Sequence, residues 1–186
     1  SAGAYVTNNR PPIVCNVVDE ANGSGINLST LSVKVDGNVI PVTTTAITNG
    51  FSVTATPATA LADGTHTLTV DVRDNDGNAA VQRTSTFKLD TIPPTLNISA
   101  PAVGLITNRA ALTVQGVTND AGSSPVTVVM TLNGASQGTI TVNADGSFSK
   151  AMTLIEGTNT IIVTATDSAG KASSVTRSVI LDTTVP

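Results

Sequence analysis

The chain is predicted to be all-β, folded as two tandem Greek-key β-sandwiches. Three observations carry this expectation. Thr, Val, Ala, Ser, Asn and Gly dominate the 186 residues, while aromatics make up only 2%. Such residues suit pleated, half-buried strands and the turns between them. Short stretches alternate apolar and polar residues, as in Leu68, Val70, Val72 and again in Ile161, Val163, Ala165. Finally, one unit occurs twice, with its copies roughly 93 residues apart.

The repeat is direct. Leu61-Ala62-Asp63-Gly64-Thr65-His66-Thr67-Leu68-Thr69-Val70 answers to Leu154-Ile155-Glu156-Gly157-Thr158-Asn159-Thr160-Ile161-Ile162-Val163. Downstream, Asp74 and Gly77 answer to Asp167 and Gly170, and Phe87-Lys88-Leu89-Asp90-Thr91 to Val179-Ile180-Leu181-Asp182-Thr183. Small drifts in spacing are what loop insertions produce between rigid strands. A double proline, Pro93-Pro94, fixes backbone geometry and reads as a short, stiff linker; Arg10-Pro11-Pro12 opens the first copy in the same way. The expected division is a first domain over residues 1–92, with an N-terminal extension over 1–10, and a second over 93–186. Leu181-Asp182-Thr183-Thr184-Val185-Pro186 repeats the linker signature, so the expectation is an excerpt from a longer array.

In the first copy, strands are expected at Ile13–Val18, Leu31–Val35, Asn38–Val42, Phe51–Thr56, Thr65–Val72 and Ala80–Leu89. In the second they are expected at Thr95–Ser99, Ala111–Val117, Val126–Leu132, Gly138–Val142, Gly146–Met152, Asn159–Ala165 and Ser173–Leu181. Asp36-Gly37 and Asn133-Gly134 stand where type I′ hairpin turns are required, and Asp145-Gly146 marks another turn. Six or seven strands in a segment of roughly 90–100 residues is a sandwich pattern.

Composition excludes several function classes. One Cys leaves no intrachain disulfide framework and no Cys-rich zinc site, and one His leaves no multi-His centre. Cys15 alternates with exposed neighbours and reads as a buried strand position, not a reactive thiol. A net charge of −4 argues against nucleic acid as a partner. No stretch approaches 18 consecutive apolar residues, so direct membrane insertion is not expected. The opening Ser1-Ala2-Gly3-Ala4-Tyr5 has neither the basic nor the apolar region of a secretory leader. Catalysis is not expected either. A Ser-His-Asp arrangement could use only His66, whose counterpart is Asn159, and Asp36, Asp63, Asp145 and Glu156 sit at turns that explain them without a reaction. The aromatics are Tyr5, Phe51, Phe87 and Phe148. Alternation turns the three Phe inward, which leaves little for a sugar-stacking platform.

The stretches 60–72 and 156–170, with the linkers Leu89-Asp90-Thr91-Ile92-Pro93-Pro94 and Leu181–Pro186, resemble bacterial immunoglobulin-like repeats of adhesin stalks. The second copy adds Leu132-Asn133-Gly134 and Asn143-Ala144-Asp145-Gly146-Ser147-Phe148. It is similar to the immunoglobulin-like accessory domain of glucan hydrolases. The resemblance implies two tandem immunoglobulin-like Greek-key β-sandwiches in an extracellular or cell-surface bacterial protein. The expected role is non-catalytic: spacing and presenting other modules, or adhesion. Expected partners are neighbouring repeats in the same polypeptide and a host-surface protein or glycan. The alternative is an accessory carbohydrate-binding or linker module beside a polysaccharide-degrading enzyme.

Calcium is the expected ligand if any metal binds. Asp71-Val72-Arg73-Asp74-Asn75-Asp76-Gly77-Asn78 is dense in hard oxygen donors. It is not an EF-hand, because Arg83 would take the position that needs a bidentate Glu. In adhesin-type repeats similar to these, a turn Asp and a linker Asp hold calcium near the domain junction. The matching residues are Asp74 and Asp90, helped by Asp76 and Asn78. In the second copy they are Asp167 and Asp182, where Ala169 and Lys171 replace the helpers. The competing reading is a polar turn joining two strands.

Overall fold

A computed structural model describes residues 5–185. The chain divides into two compact units, Ser1–Thr91 and Ile92–Pro186. Among the described residues every regular element is a strand. The first unit holds β1 (Tyr5–Val6), β2 (Ile13–Val18), β3 (Ile26–Val35), β4 (Asn38–Val39), β5 (Val42–Ile47), β6 (Gly50–Ala55), β7 (Gly64–Asp74) and β8 (Arg83–Leu89). The second holds β9 (Thr95–Ala100), β10 (Ile106–Thr107), β11 (Ala111–Asn119), β12 (Thr127–Leu132), β13 (Ala135–Ile140), β14 (Ser147–Thr153), β15 (Gly157–Thr166) and β16 (Ala172–Leu181).

Each unit is a five-stranded sheet and a three-stranded sheet. The larger sheets run β1-β8-β7-β3-β4 and β10-β16-β15-β12-β13; the smaller run β2-β6-β5 and β14-β11-β9. The short β1 and β10 pair parallel with β8 and β16, and all other pairings are antiparallel. Non-sequential neighbours such as β3 beside β7 are Greek-key crossovers. Each unit closes on its own core. Val17, Val33, Val35, Val53 and Phe87 anchor the first; Val114, Val128, Met130, Phe148, Ile161 and Val163 anchor the second.

Local sequence explains the corners. Asp36 and Gly37 both have positive φ (51° and 79°), as do Asn133 and Gly134 (50° and 81°), the signature of a type I′ turn. The segment expected as one strand over Asn38–Val42 is two. β4 pairs with β3, whereas β5 pairs with β6 in the opposite sheet, and Pro41, which has no N–H to give a ladder, stands where the chain changes sheets. β8 begins at Arg83, not Ala80, because the chain leaves β7 after a single bridge between Arg73 and Ala79. Phe87 and Phe148 are buried and Phe51 packs against the core. Cys15 is half-buried against the core, and that burial pushes its thiol pKa up, away from the reactive thiolate.

The units differ at one edge. In the second, β9 lies antiparallel along β11. In the first, β2 occupies β11's place and ends its sheet, with no described strand beside it.

Candidate functional site

The polar side chains that could carry chemistry are built into turns at the strand ends. Asp74 closes β7. Its Oδ1 accepts from the Asn78 backbone N–H and its Oδ2 from the Asn78 side-chain amide, both at 2.7 Å. Gly77 turns at φ +90° and its N–H donates to the Asp74 carbonyl. Asp76 is exposed, and its N–H donates to Ser24 Oγ. Asp74, Asp76 and Asn78 thus share one turn, in which both Asp74 oxygens are engaged.

Asp90 lies elsewhere. The β7–β8 register pairs Gly64 with Leu89, so Asp90 follows the strand end beside the start of β7, and its N–H donates to the Val6 carbonyl. Asp74 stands ten residues further along β7, about 33 Å at the usual strand rise. Asp167 and Asp182 are separated likewise, since Gly157 pairs with Leu181 and Thr166 with Ala172. Neither turn–linker pair can therefore share one ion inside its own unit. Asp182 is exposed, and the Thr184 hydroxyl and N–H hold its carboxyl below the usual carboxylate range.

The second unit contains a pairing that sequence reasoning missed. Asp167 repeats the Asp74 turn: its Oδ1 accepts from the Lys171 N–H at 2.8 Å. Its Oδ2, however, is buried without a hydrogen-bond partner. Asp120, just past β11, is buried too and accepts at Oδ1 from the N–H groups of Gly122 and Ser123. A carboxylate oxygen of Asp120 and one of Asp167 lie within 4.8 Å of each other. Ser123, whose carbonyl takes the Ser168 N–H, has a buried hydroxyl without a partner. Among the described residues neither aspartate makes an ion pair. Two buried carboxylates this close are costly unless a positive charge joins them. The sequence signal was Asp120-Ala121-Gly122-Ser123, an Asx-turn pattern, but nothing in it announces a partner so far along the chain.

His66 is a structural pin. The ring is buried, tilted against Phe87, with Nδ1 2.6 Å from Asp36 Oδ2 and Nε2 2.8 Å from the Ala62 carbonyl. Both partners only accept, so the ring must carry both protons to make both bonds. Burial alone disfavours the imidazolium, but the Asp36 carboxylate outweighs it and raises the His66 pKa above its ordinary 6.5. Burial likewise works to raise the Asp36 carboxyl; the bonds from His66 and the Thr67 N–H outweigh it and hold it low. In the second unit Asn159 and Asn133 replace the pair, joined at 3.1 Å, with the Thr160 N–H on Asn133 Oδ1.

A pH prediction follows from the signs. A raised His66 contributes stability that is complete below about pH 6.5 and is lost as pH climbs through its folded value. A lowered Asp36 contributes above about pH 3.9 and is lost as pH falls through its folded value. Calorimetry from about pH 6 to about pH 9 is expected to lower the first unit's melting temperature more than the second's. The combined change Asp36→Asn with His66→Asn should abolish that difference. A first unit that melts alike across this range would remove the charged pin.

Five strands facing three around one core define an immunoglobulin-like module in each unit. The particular families then follow from comparison. Residues 6–91 match the bacterial Ig-like domain, and residues 94–183 match domain B of glucodextranase. The chain is thus a tandem of two immunoglobulin-like units, the first belonging with the bacterial Ig-like domains and the second with domain B of glucodextranase. It is 35% identical over 162 residues to bacillopeptidase F of Bacillus subtilis (strain 168), an alignment covering 81% of this chain. The chain spans only 10% of that relative's length. Fibronectin(III)-like modules of CbhA from Clostridium thermocellum share the fold, with a TM-score of 0.53 and 18% identity over 97% of this chain and 90% of theirs.

Proposed function

We propose that this chain is a non-catalytic segment of a longer secreted or cell-surface bacterial protein, where it spaces and presents other modules or supports adhesion. The observation that carries this reading is that its one histidine and the carboxylates of Asp74, Asp63 and Glu156 are engaged in closing turns and linkers. Both ring nitrogens of the one histidine and both oxygens of Asp74 close turns. Asp63 and Glu156, at matching positions, bind the linker threonines Thr91 and Thr183. Its partners on this reading are neighbouring repeats of the same polypeptide, with a host-surface protein or glycan beyond them. The match of residues 94–183 to a glucodextranase domain supports the second reading, an accessory module beside a polysaccharide-degrading enzyme. Affinity electrophoresis in gels cast with α- and β-glucans separates the two. The spacer reading expects unchanged mobility; saturable retardation by one polysaccharide would replace it with the accessory reading.

Calcium belongs to this proposal at Asp120 and Asp167. The support is that Asp167 Oδ2 is buried without a partner and that a second buried carboxylate, Asp120, comes within 4.8 Å of an Asp167 oxygen, since calcium takes oxygen ligands of this kind. At calcium about 100 times Kd, linkage adds about 2.7 kcal/mol. For a unit of this size the second transition should then rise by roughly 10–20 °C. Chelator should reverse the rise and Asp167→Asn should prevent it. Superimposable melts with calcium and with chelator would remove the ion from the proposal.

A further inference from the structure

The larger sheet of the second unit turns an uncharged face outward. Its strands β10, β16, β15, β12 and β13 contain one charged residue, Arg177, and that side chain reaches the other way, to the Ile98 carbonyl. Ile161, Val163 and Ala165 point into the core, so Thr158, Thr160, Ile162, Thr164 and Thr166 form the outer side of β15. The register sets Ile180 beside Thr158 and Thr176 beside Ile162 on one flank. On the other flank it sets Thr131 beside Ile162 and Val129 beside Thr164. β10 adds Ile106 next to Ile180. Four branched apolar side chains therefore stand in the open among hydroxyls: Ile106 is 66% exposed, Val129 44%, and Ile162 and Ile180 39% each.

The first unit shows that the fold does not require such a face. The matching register puts Lys88 where Ile180 stands, Lys34 where Thr131 stands, Asp71 where Thr164 stands and Arg73 where Thr166 stands. Lys34 and Asp71 pair at 4.0 Å, and Lys88 lies over the ring of Tyr5, which holds the place of Ile106. Thr69 and Ser32 hold the places of Ile162 and Val129. One copy of the sheet is thus dressed for water, and the other is stripped of charge and studded with Ile and Val. Loss of charge around exposed apolar side chains is the mark of an interface core.

We propose that this face is a lateral docking surface between two copies of the chain, packed sheet to sheet across a two-fold axis. Three features select a second copy as the occupant. A hydroxyl both donates and accepts, so a Thr and Ser array satisfies an identical array, as a face lined with like charges cannot. The chain carries a net charge of −4, so two copies repel except where carboxylates are absent from the contact. The size also suffices. β15 and β16 have ten residues each, which makes the face about 30 Å long and about 20 Å wide. That is roughly 600 Å² a side and roughly 1,200 Å² for the pair, the lower limit of a specific interface. Stiff β-branched side chains lose little rotamer freedom on docking. Chains joined in this way run side by side, a role that needs neither a glycan nor calcium.

The test is sedimentation equilibrium of the full chain from about 10 μM to about 1 mM, a range suited to an interface at this size limit. The expected result is a monomer–dimer equilibrium that Ile162→Lys weakens by about tenfold or more, because the two-fold axis brings both added charges into one contact. Val14→Lys, on the first unit, should leave it unchanged. Association should hold from about 50 mM to about 500 mM salt, as an uncharged contact does. Rising concentration should shift the methyl signals of Ile106, Val129, Ile162 and Ile180 and leave those of Val14 and Val18 in place. Thr176→Glu, at the exposed hydroxyl beside Ile162, carries the same test if the lysine variant does not fold. A chain still monomeric at about 1 mM would overturn the proposal. So would a dimer that survives both face variants, one that dissolves in salt, or one lost on Val14→Lys, which would place the contact on the first unit.

Discussion

Asn159→Ala is expected to destabilise the second unit by about 3 kcal/mol and lower its melting temperature by roughly 10–20 °C. Asn159 is 0% exposed. Its Oδ1 accepts from the Ile155 N–H and the Asn133 amide, and its Nδ2 donates to the carbonyls of Ile155 and Gly157. Alanine leaves these groups buried without partners, and each such loss costs more than a hydrogen bond contributes. The first transition should not move, because the two cores are separate. A combined Asn133→Asp and Asn159→His change copies the first unit's solution. It should recover part of the loss near pH 6 and give it back as the imidazolium deprotonates. A single alanine variant melting within about 1 kcal/mol of the parent would refute the pin.

Gly116→Val should release β9. A Cβ at Gly116 would stand 2.4 Å from the Asn97 carbonyl oxygen, 2.6 Å from the Phe148 ring and 3.1 Å from Ile98. The first two contacts are impossible as they stand, and one is to backbone, so the strand must move rather than a side chain. The expected cost is about 3 kcal/mol, at the upper end for overpacking, because Ile98 leaves the core with the strand. Amides of Gln115 and Val117, which face β9, should exchange faster while those of Val114 and Gly116 stay protected. Valine already occupies the matching place in β2, where no described strand lies above it. Unchanged exchange on both faces of β11 would show that β9 tolerates the branch.

Much of this architecture was legible. Alternation marks β2, β7, β15 and β16 to within a few residues, and the Asp36-Gly37 and Asn133-Gly134 turns are as their residue types require. β1 and β10 were not, since two residues carry no period. β5 was missed because Val-Thr-Thr-Thr-Ala-Ile is exposed throughout and has no inward face to mark it. The candidate cation residues were only half visible. Asp74 and Asp167 look equivalent in sequence, yet Asn78 offers a second amide that fills the Asp74 carboxylate, while Lys171 leaves Asp167 Oδ2 bare. Asp120 joins Asp167 only because the β12–β15 register, Thr127 against Thr166, folds the 120–126 loop back over it.

The parallel pairing of β1 with β8 decides how tension would travel through the first unit. Whereas in the second unit β9 precedes β10 and pairs with β11, in the first the described chain runs in along β1 and leaves along β8, strands that lie side by side. A pull on the two ends slides these strands along each other. Their cross-links are then loaded together, not peeled one after another. With only two paired residues between β1 and β8, this is a small shear fuse beside the long antiparallel ladders that hold the rest of the first unit's sandwich.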